Sequence, residues 1–167
     1  MVRPSRFPAF PLSHKHMDIL TGLGMYQLLI SLEERRERDI IYEKARRSAD
    51  ARGKPLLVAG GHKRRHGMGD VCMDIDARSC AGAPVILRGD IRDIPLPDKW
   101  AGAVFAAHVL EHLPTVADAR LAIAELERVA DSVFIVVPGK SNPIAWIHPD
   151  HHLWLRFRNG RIEIQQR

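Results

Sequence analysis

Pro55-Leu56-Leu57-Val58-Ala59-Gly60-Gly61 is a short apolar run that opens onto two glycines, and its reading decides the fold. The run is too short for a helix and carries no charge, which suits a strand covered on both faces, as strands are in a parallel sheet. Gly53, just upstream, ends the segment before it. Downstream, four further apolar runs repeat the pattern: Val71 to Ile75, Pro84 to Leu87, Ala103 to Ala107 and Val133 to Val137, the last being the strongest.

Helical signals flank these runs. Thr115 with Asp118 three residues on forms a capping-box start, and the helix it opens carries Ala119, Ile123, Leu126 and Val129 on one side. Near the chain start, Ile19, Leu23, Tyr26 and Ile30 recur at steps of 4, 3 and 4, which predicts a helix from Met17, and a charged helix follows to about Arg52. Residues 1 to 16 hold three prolines and no periodicity, so an irregular arm is expected there. Leu153 to Arg158 and Arg161 to Gln165 flank Asn159-Gly160, the favoured two-residue turn of a β-hairpin. The chain therefore reads as α/β, a mostly parallel sheet covered by helices and ending in an antiparallel hairpin. Its main irregularity is the 15-residue step from Ala59 to Asp74, which leaves little room for a helix in the first crossover.

At 167 residues and 46% apolar content, one core is expected, with residues 1–54 as an arm and helix and 55–167 as the α/β domain. The formal charge of +5 is uneven: residues 1–54 hold 11 Lys/Arg against 7 Asp/Glu. The alternating signs of Glu33, Glu34, Arg35, Arg36, Glu37 and Arg38 suit i,i+4 pairing on a solvated helix better than a phosphate-binding stripe. Aromatics do not interleave with the basic clusters, so nucleic acid is not the expected partner. Cys72 falls inside a strand, and with Cys80 as the sole other cysteine neither a disulfide framework nor a metal set is suggested. A reduced, cytoplasmic chain is expected. Met17 to Leu32 is interrupted by Asp18 and Gln27 and falls short of the roughly 20 residues of a membrane span. Its apolar face is instead expected to be buried, as a lid over the cofactor edge or against a partner, a second copy included.

Ligands of open parallel sheets bind outside the carboxyl ends of the strands, and four features converge there. Gly60-Gly61 follows the first strand, Asp74 and Asp76 end the second, Asp90 follows the third and His108 the fourth. Glycines admit close backbone approach, and a carboxylate ending the second strand suits the two hydroxyls of a ribose. Asp90 suits an adenine amino group with Ile91 covering the base, so a nucleoside-bearing ligand is implied. His148, His151 and His152 lie within five residues, but no acidic or cysteine partner stands at a recognised ligand spacing, and no metal site is expected. Glu111 and His112 read as packing and capping groups, and Trp146 and Trp154 as pocket lining or sheet cover.

The stretch Gly89-Asp90-Ile91-Arg92-Asp93-Ile94-Pro95-Leu96-Pro97-Asp98, with Phe105-Ala106-Ala107-His108-Val109-Leu110-Glu111-His112-Leu113, resembles the type-11 class I S-adenosylmethionine-dependent methyltransferases. The likeness continues through Ala124 to Val129 and Val136-Val137-Pro138, and Leu57 to Asp76 resembles a subgroup with a shortened first crossover. It implies a reduced Rossmann-like fold and S-adenosylmethionine as cofactor. By position, Gly60 and Gly61 would lie beside the methionine part, Asp74 at the ribose, Asp90 with Ile91 at the adenine and His108 near the sulfonium, where it is also the first candidate for a base. The chain departs from the pattern in reading Val58-Ala59-Gly60-Gly61 and in inserting His62-Lys63-Arg64-Arg65-His66. Methyl transfer to an unidentified acceptor is the function implied; the alternative is a non-catalytic binding or assembly module on the same fold.

Overall fold

The structure is a computed structural model that describes residues 14–61, 68–158 and 160–167, with the side chains of 14–21 outside the description. Five strands, β1 (Leu56–Ala59), β2 (Val71–Asp74), β3 (Val85–Arg88), β4 (Ala103–Ala107) and β5 (Val133–Val136), form one parallel sheet in the order β3-β2-β1-β4-β5. The helices are α1 (His14–Asp50), α2 (Val116–Val129) and α3 (Pro143–Ile147), and β6 (Leu153–Arg158) pairs antiparallel with β7 (Arg161–Gln166). Chain order turns outward in both directions from β1 and β4, so the sheet has its topological switch point between them.

Both faces of the central strands are buried. On one face Tyr42, Ala45 and Ala49 of α1 pack over Leu56, Val58, Ala103 and Phe105. Alanines bring the helix backbone close: a Cβ on Gly102 would meet the Ala49 Cα at 2.9 Å. Tyr42 meets Phe105 edge to face, centroids 5.3 Å apart. On the other face Leu57, Ala59, Met73, Val104 and Ala106 pack against Ala119, Ala122, Leu126 and Val129 of α2 and against Leu153 and Leu155 of β6.

Polar contacts fix the ends of these elements. Gly53, at φ +59°, turns the chain out of α1 in the left-handed region. Arg46 then reaches across to Asp70, Nη1 and Nη2 donating to its two carboxylate oxygens at 3.1 and 2.7 Å, while Leu56 N–H donates to the same carboxylate at 2.7 Å. The Arg46 guanidinium first, and the Leu56 amide after the opposing effect of burial, hold the Asp70 carboxyl below its ordinary range. At the start of α2, Asp118 N–H donates to the Thr115 hydroxyl oxygen at 3.1 Å, as the capping signature predicts. Arg128 near its end donates to Glu125, to Asp98 and to the carbonyls of Ile94 and Leu96, pinning the proline-bearing loop that follows β3.

Four features differ from expectation. The two upstream helices are one, because nothing between Met17 and Arg52 stops it and Gly22 and Gly24 are tolerated within it. At 37 residues it is about 55 Å long, against roughly 15 Å for a four- or five-residue strand, so the sheet cannot cover it. Ile30 is accordingly buried but Leu23 and Tyr26 are exposed in the single chain; the Ile19 side chain lies outside the described residues. Second, Cys72 and Cys80 form a disulfide, which corrects the expectation of two reduced thiols: the 3-10 turn Ala77–Cys80 folds straight back onto β2 and brings the two Cα atoms to 5.6 Å. Third, the hairpin turns at residues 159–160 but makes its own two-stranded sheet and packs over α2 rather than extending the parallel one; Asn159 itself lies outside the described residues. Fourth, the short helix α3, capped by Asn142 accepting from Ile144 N–H, is not predicted from its five residues. Among the described residues no helix is long and apolar enough to cross a membrane.

Leu126 is fully buried between α2 and the sheet. Leu126→Ala is expected to lower the unfolding free energy by about 2–5 kcal/mol, read as a shifted urea midpoint with unchanged slope.

Candidate functional site

The carboxyl edge of the sheet is built by close backbone packing. Gly60 leaves β1 at φ +89° with its N–H on the Met73 carbonyl at 2.8 Å, and any Cβ there would collide with Val109. A Cβ on Gly61 would meet the backbone carbonyl of Ser79 at 2.5 Å. Both glycines are thus demanded by neighbouring turns of the protein: Gly60 by the segment after β4, Gly61 by the turn after β2.

Asp74, which ends β2, brackets that packing. Its Oδ2 accepts from Gly61 N–H at 2.7 Å and its Oδ1 from Asp76 N–H at 2.8 Å. A carboxylate offers about four acceptor directions, so each oxygen keeps one. Asp76 instead turns to Arg78, accepting from its N–H at 3.1 Å and its Nε at 2.9 Å. Asp90 is gripped by Arg92: Oδ1 accepts from the Arg92 N–H and Nε at 2.9 and 3.0 Å, and Oδ2 from Nη2 at 2.6 Å. Arg92 continues to Asp118 at 2.8 Å. The hydrogen bond from Arg92 is the largest cause that holds the Asp90 carboxyl below its usual range, and Arg92 is raised in return.

Between these groups lies a cavity of about 280 Å³, at the lower edge of the roughly 300–1,000 Å³ common for small-molecule sites. Gly60, Met73, Asp74 and Ile75 form one wall, Gly89 to Arg92 a second, and Val109, His112, Leu113 and Pro114 a third. Of the residues singled out in the sequence, Gly60, Asp74, Asp90 and Ile91 are brought together here. Gly61 stands behind Asp74, held by its N–H. His108 is not in the lining: it sits at φ +55°, with Nδ1 3.3 Å from Oε1 of the buried Glu111. The basic segment His62 to His66 lies outside the described residues.

Sequence reasoning passed over Met73, Val109 and Leu113 as lining residues and read His112 as a packing or capping group. Val109 and Leu113 stand four apart on either side of the 3-10 turn Leu110–His112, a spacing legible in retrospect as one wall. Glu111 was expected to pack and cap. It is 1% exposed, yet neither carboxylate oxygen accepts a hydrogen bond among the described residues, so it caps nothing with its side chain.

A methyltransferase-domain family model matches residues 65–133, from before β2 to the first residue of β5. The matched span contains Asp74, Asp90, Ile91 and His108 but begins after Gly60 and Gly61. No curated protein matches the chain.

Because Gly60 meets both a positive φ and Val109, Gly60→Ala is expected to cost about 1–3 kcal/mol of stability. Adding Val109→Ala should recover part of the loss by removing the collision while the backbone strain stays. Urea unfolding of the single and double variants measures both effects; a Gly60→Ala protein as stable as the parent would contradict the packing.

Proposed function

We propose, from the match of residues 65–133 to a methyltransferase-domain family model, that the chain is a class I S-adenosylmethionine-dependent methyltransferase and that the cavity at the switch point binds S-adenosylmethionine and serves methyl transfer to an acceptor. The observation that carries this reading is Asp74: it ends β2 in the cavity wall with one acceptor direction unused on each oxygen among the described residues, which suits a ribose diol. Met73, Ile75 and Ile91 give the same cavity apolar walls suited to a base. Asp90 keeps acceptor capacity on Oδ2 despite the Arg92 clamp.

When bound, the cofactor supplies a methyl group on a positively charged sulfur. The chain's own part is alignment, which supplies most of what an in-line displacement needs. Gly60 leaves room at the end of β1, Asp74 and Asp90 fix the nucleoside, and the turn carrying Val109 and His112 forms the opposite wall. His108, at positive φ with Nδ1 3.3 Å from Oε1 of Glu111, stands just before that turn.

A second reading is favoured by α1, whose Leu23, Met25, Leu28, Leu29 and Leu32 are all more than half exposed or at the half mark in the single chain. That reading is the assembly module, in which α1 packs against a second copy. Deleting residues 1–32 should then change the mass measured by sedimentation or lower solubility, and an unchanged monomer would rule it out.

The test of the primary reading is calorimetric titration with S-adenosylmethionine and S-adenosylhomocysteine. Binding one to one is expected, weakened about tenfold or more in Asp74→Ala and less in Asp76→Ala. Asp74→Ala also strips partners from two backbone N–H groups, so melting of each variant should accompany the titration. No binding by the parent protein at about millimolar ligand would overturn the reading.

A further inference from the structure

Three imidazoles converge beside the cavity from segments far apart in the chain. His112 closes the 3-10 turn after β4, while His148 and His151 belong to the loop between α3 and β6. One ligand atom from each lies within 4.8 Å of those of the other two. Ring centroids stand 4.8 Å apart for His112 and His151, and 4.4 Å for His148 and His151.

The loop is built to hold them. His112 Nδ1 lies 2.9 Å from the Asp150 carbonyl oxygen and His151 Nδ1 3.2 Å from that of Ala145. Donating there, each ring keeps the lone pair on Nε2, the arrangement that orients metal-bound histidines. His148 Nδ1 accepts from Asp150 N–H at 3.3 Å, a long bond whose lone pair the ring must give up to take a metal. Arg167 Nη1 donates to the carbonyls of Ala145, His148 and His151 at 3.0 to 3.2 Å, bracing the segment through its backbone.

Glu111, the neighbour of His112, supplies an independent observation. A carboxylate buried to 1% exposure, with no hydrogen bond to either oxygen among the described residues, favours a cation beside it. His108 Nδ1 at 3.3 Å from Oε1 is the contact it has, and its charge is also felt at His151.

We propose that His112, His148 and His151 bind a divalent transition-metal ion of the zinc type, with buried Glu111 offsetting its charge. Imidazole nitrogens beside a carboxylate select such an ion over the oxygen-seeking Mg²⁺ and Ca²⁺. Tetrahedral zinc with bonds of about 2.1 Å sets nitrogens about 3.4 Å apart, so the rings close by a little over an ångström on binding. The cluster escapes sequence reading because its third member, His112, comes from the turn after β4, and His152, adjacent in sequence, is not part of it. The ion would border the cavity through His112, but its binding is independent of methyl transfer.

The full chain, stripped with chelator and free of cofactor, is titrated with Co²⁺ followed by visible absorption, then with Zn²⁺ followed by calorimetry. One Co²⁺ per chain with ligand-field bands, displaced by Zn²⁺, is expected. His112→Ala and His151→Ala should each weaken Zn²⁺ binding at least about tenfold, as should Glu111→Gln, while His152→Ala leaves it unchanged. Melting curves of the metal-free variants show which remain folded, and His112→Ala, altering an exposed position, is the variant that decides. No stoichiometric binding by the parent chain, or equal affinity in folded His112→Ala, would overturn the site. Cofactor titration of the same samples reports separately on the methyltransferase reading.

Discussion

The carboxylate of Asp74 is the contact on which the carboxyl edge of the sheet depends. It ties the amide of Gly61, just past β1, to that of Asp76, just past β2, so two strand ends that would otherwise diverge are held in one register. Gly61 can come that close because it has no side chain to strike Ser79. A charged acceptor holding two backbone donors is worth more than a neutral pair, and neither amide has another partner described at that point. The same residue therefore builds the cavity and offers its remaining acceptor directions to whatever enters.

Comparable economy appears on the opposite end of the sheet. Asp70 serves Arg46 from α1 and the amide of Leu56 at the start of β1, joining helix, first strand and second strand in one node. Ala45 and Ala49 allow α1 to lie against Gly102 and Ala103, and that close approach lets the central strands of so short a sheet be buried on both faces.

Each of the five strands was legible from its apolar run: the central strands are covered on both sides and leave few polar positions to blur them, and β3, though exposed, keeps the apolar run Val85-Ile86-Leu87. The capping pair Thr115 and Asp118 and the hairpin turn were legible for the same reason: their signals are local. What escaped was non-local. Cys72 and Cys80 are eight residues apart, and nothing in that spacing says that a 3-10 turn folds back onto β2. His112 gains its meaning from His148 and His151, thirty-six and thirty-nine positions away, and the unsatisfied state of Glu111 is visible only once its surroundings are packed. At the site, Asp74 was placed correctly at a strand end, but its service to Gly61 and Asp76 could not be read from order along the chain. His108 follows β4 at that edge, and its approach to Glu111 could not be read from order along the chain.

The brevity of the connection between β2 and β3 bears on how this molecule behaves in a crowded solution. Only the 3-10 turn Ala77–Cys80 lies between those strands, so no α-helix from that crossover covers β3, and Val85 and Ile86 stand exposed on the outermost strand of the sheet. An open apolar edge invites a strand from another molecule. Here the invitation is short: four residues, with Pro84 lacking an amide at one end and the charged Arg88 at the other. The protection against unwanted strand addition thus lies in the length and the ends of β3, and lengthening that edge by even a pair of apolar residues would turn a tolerated surface into an adhesive one.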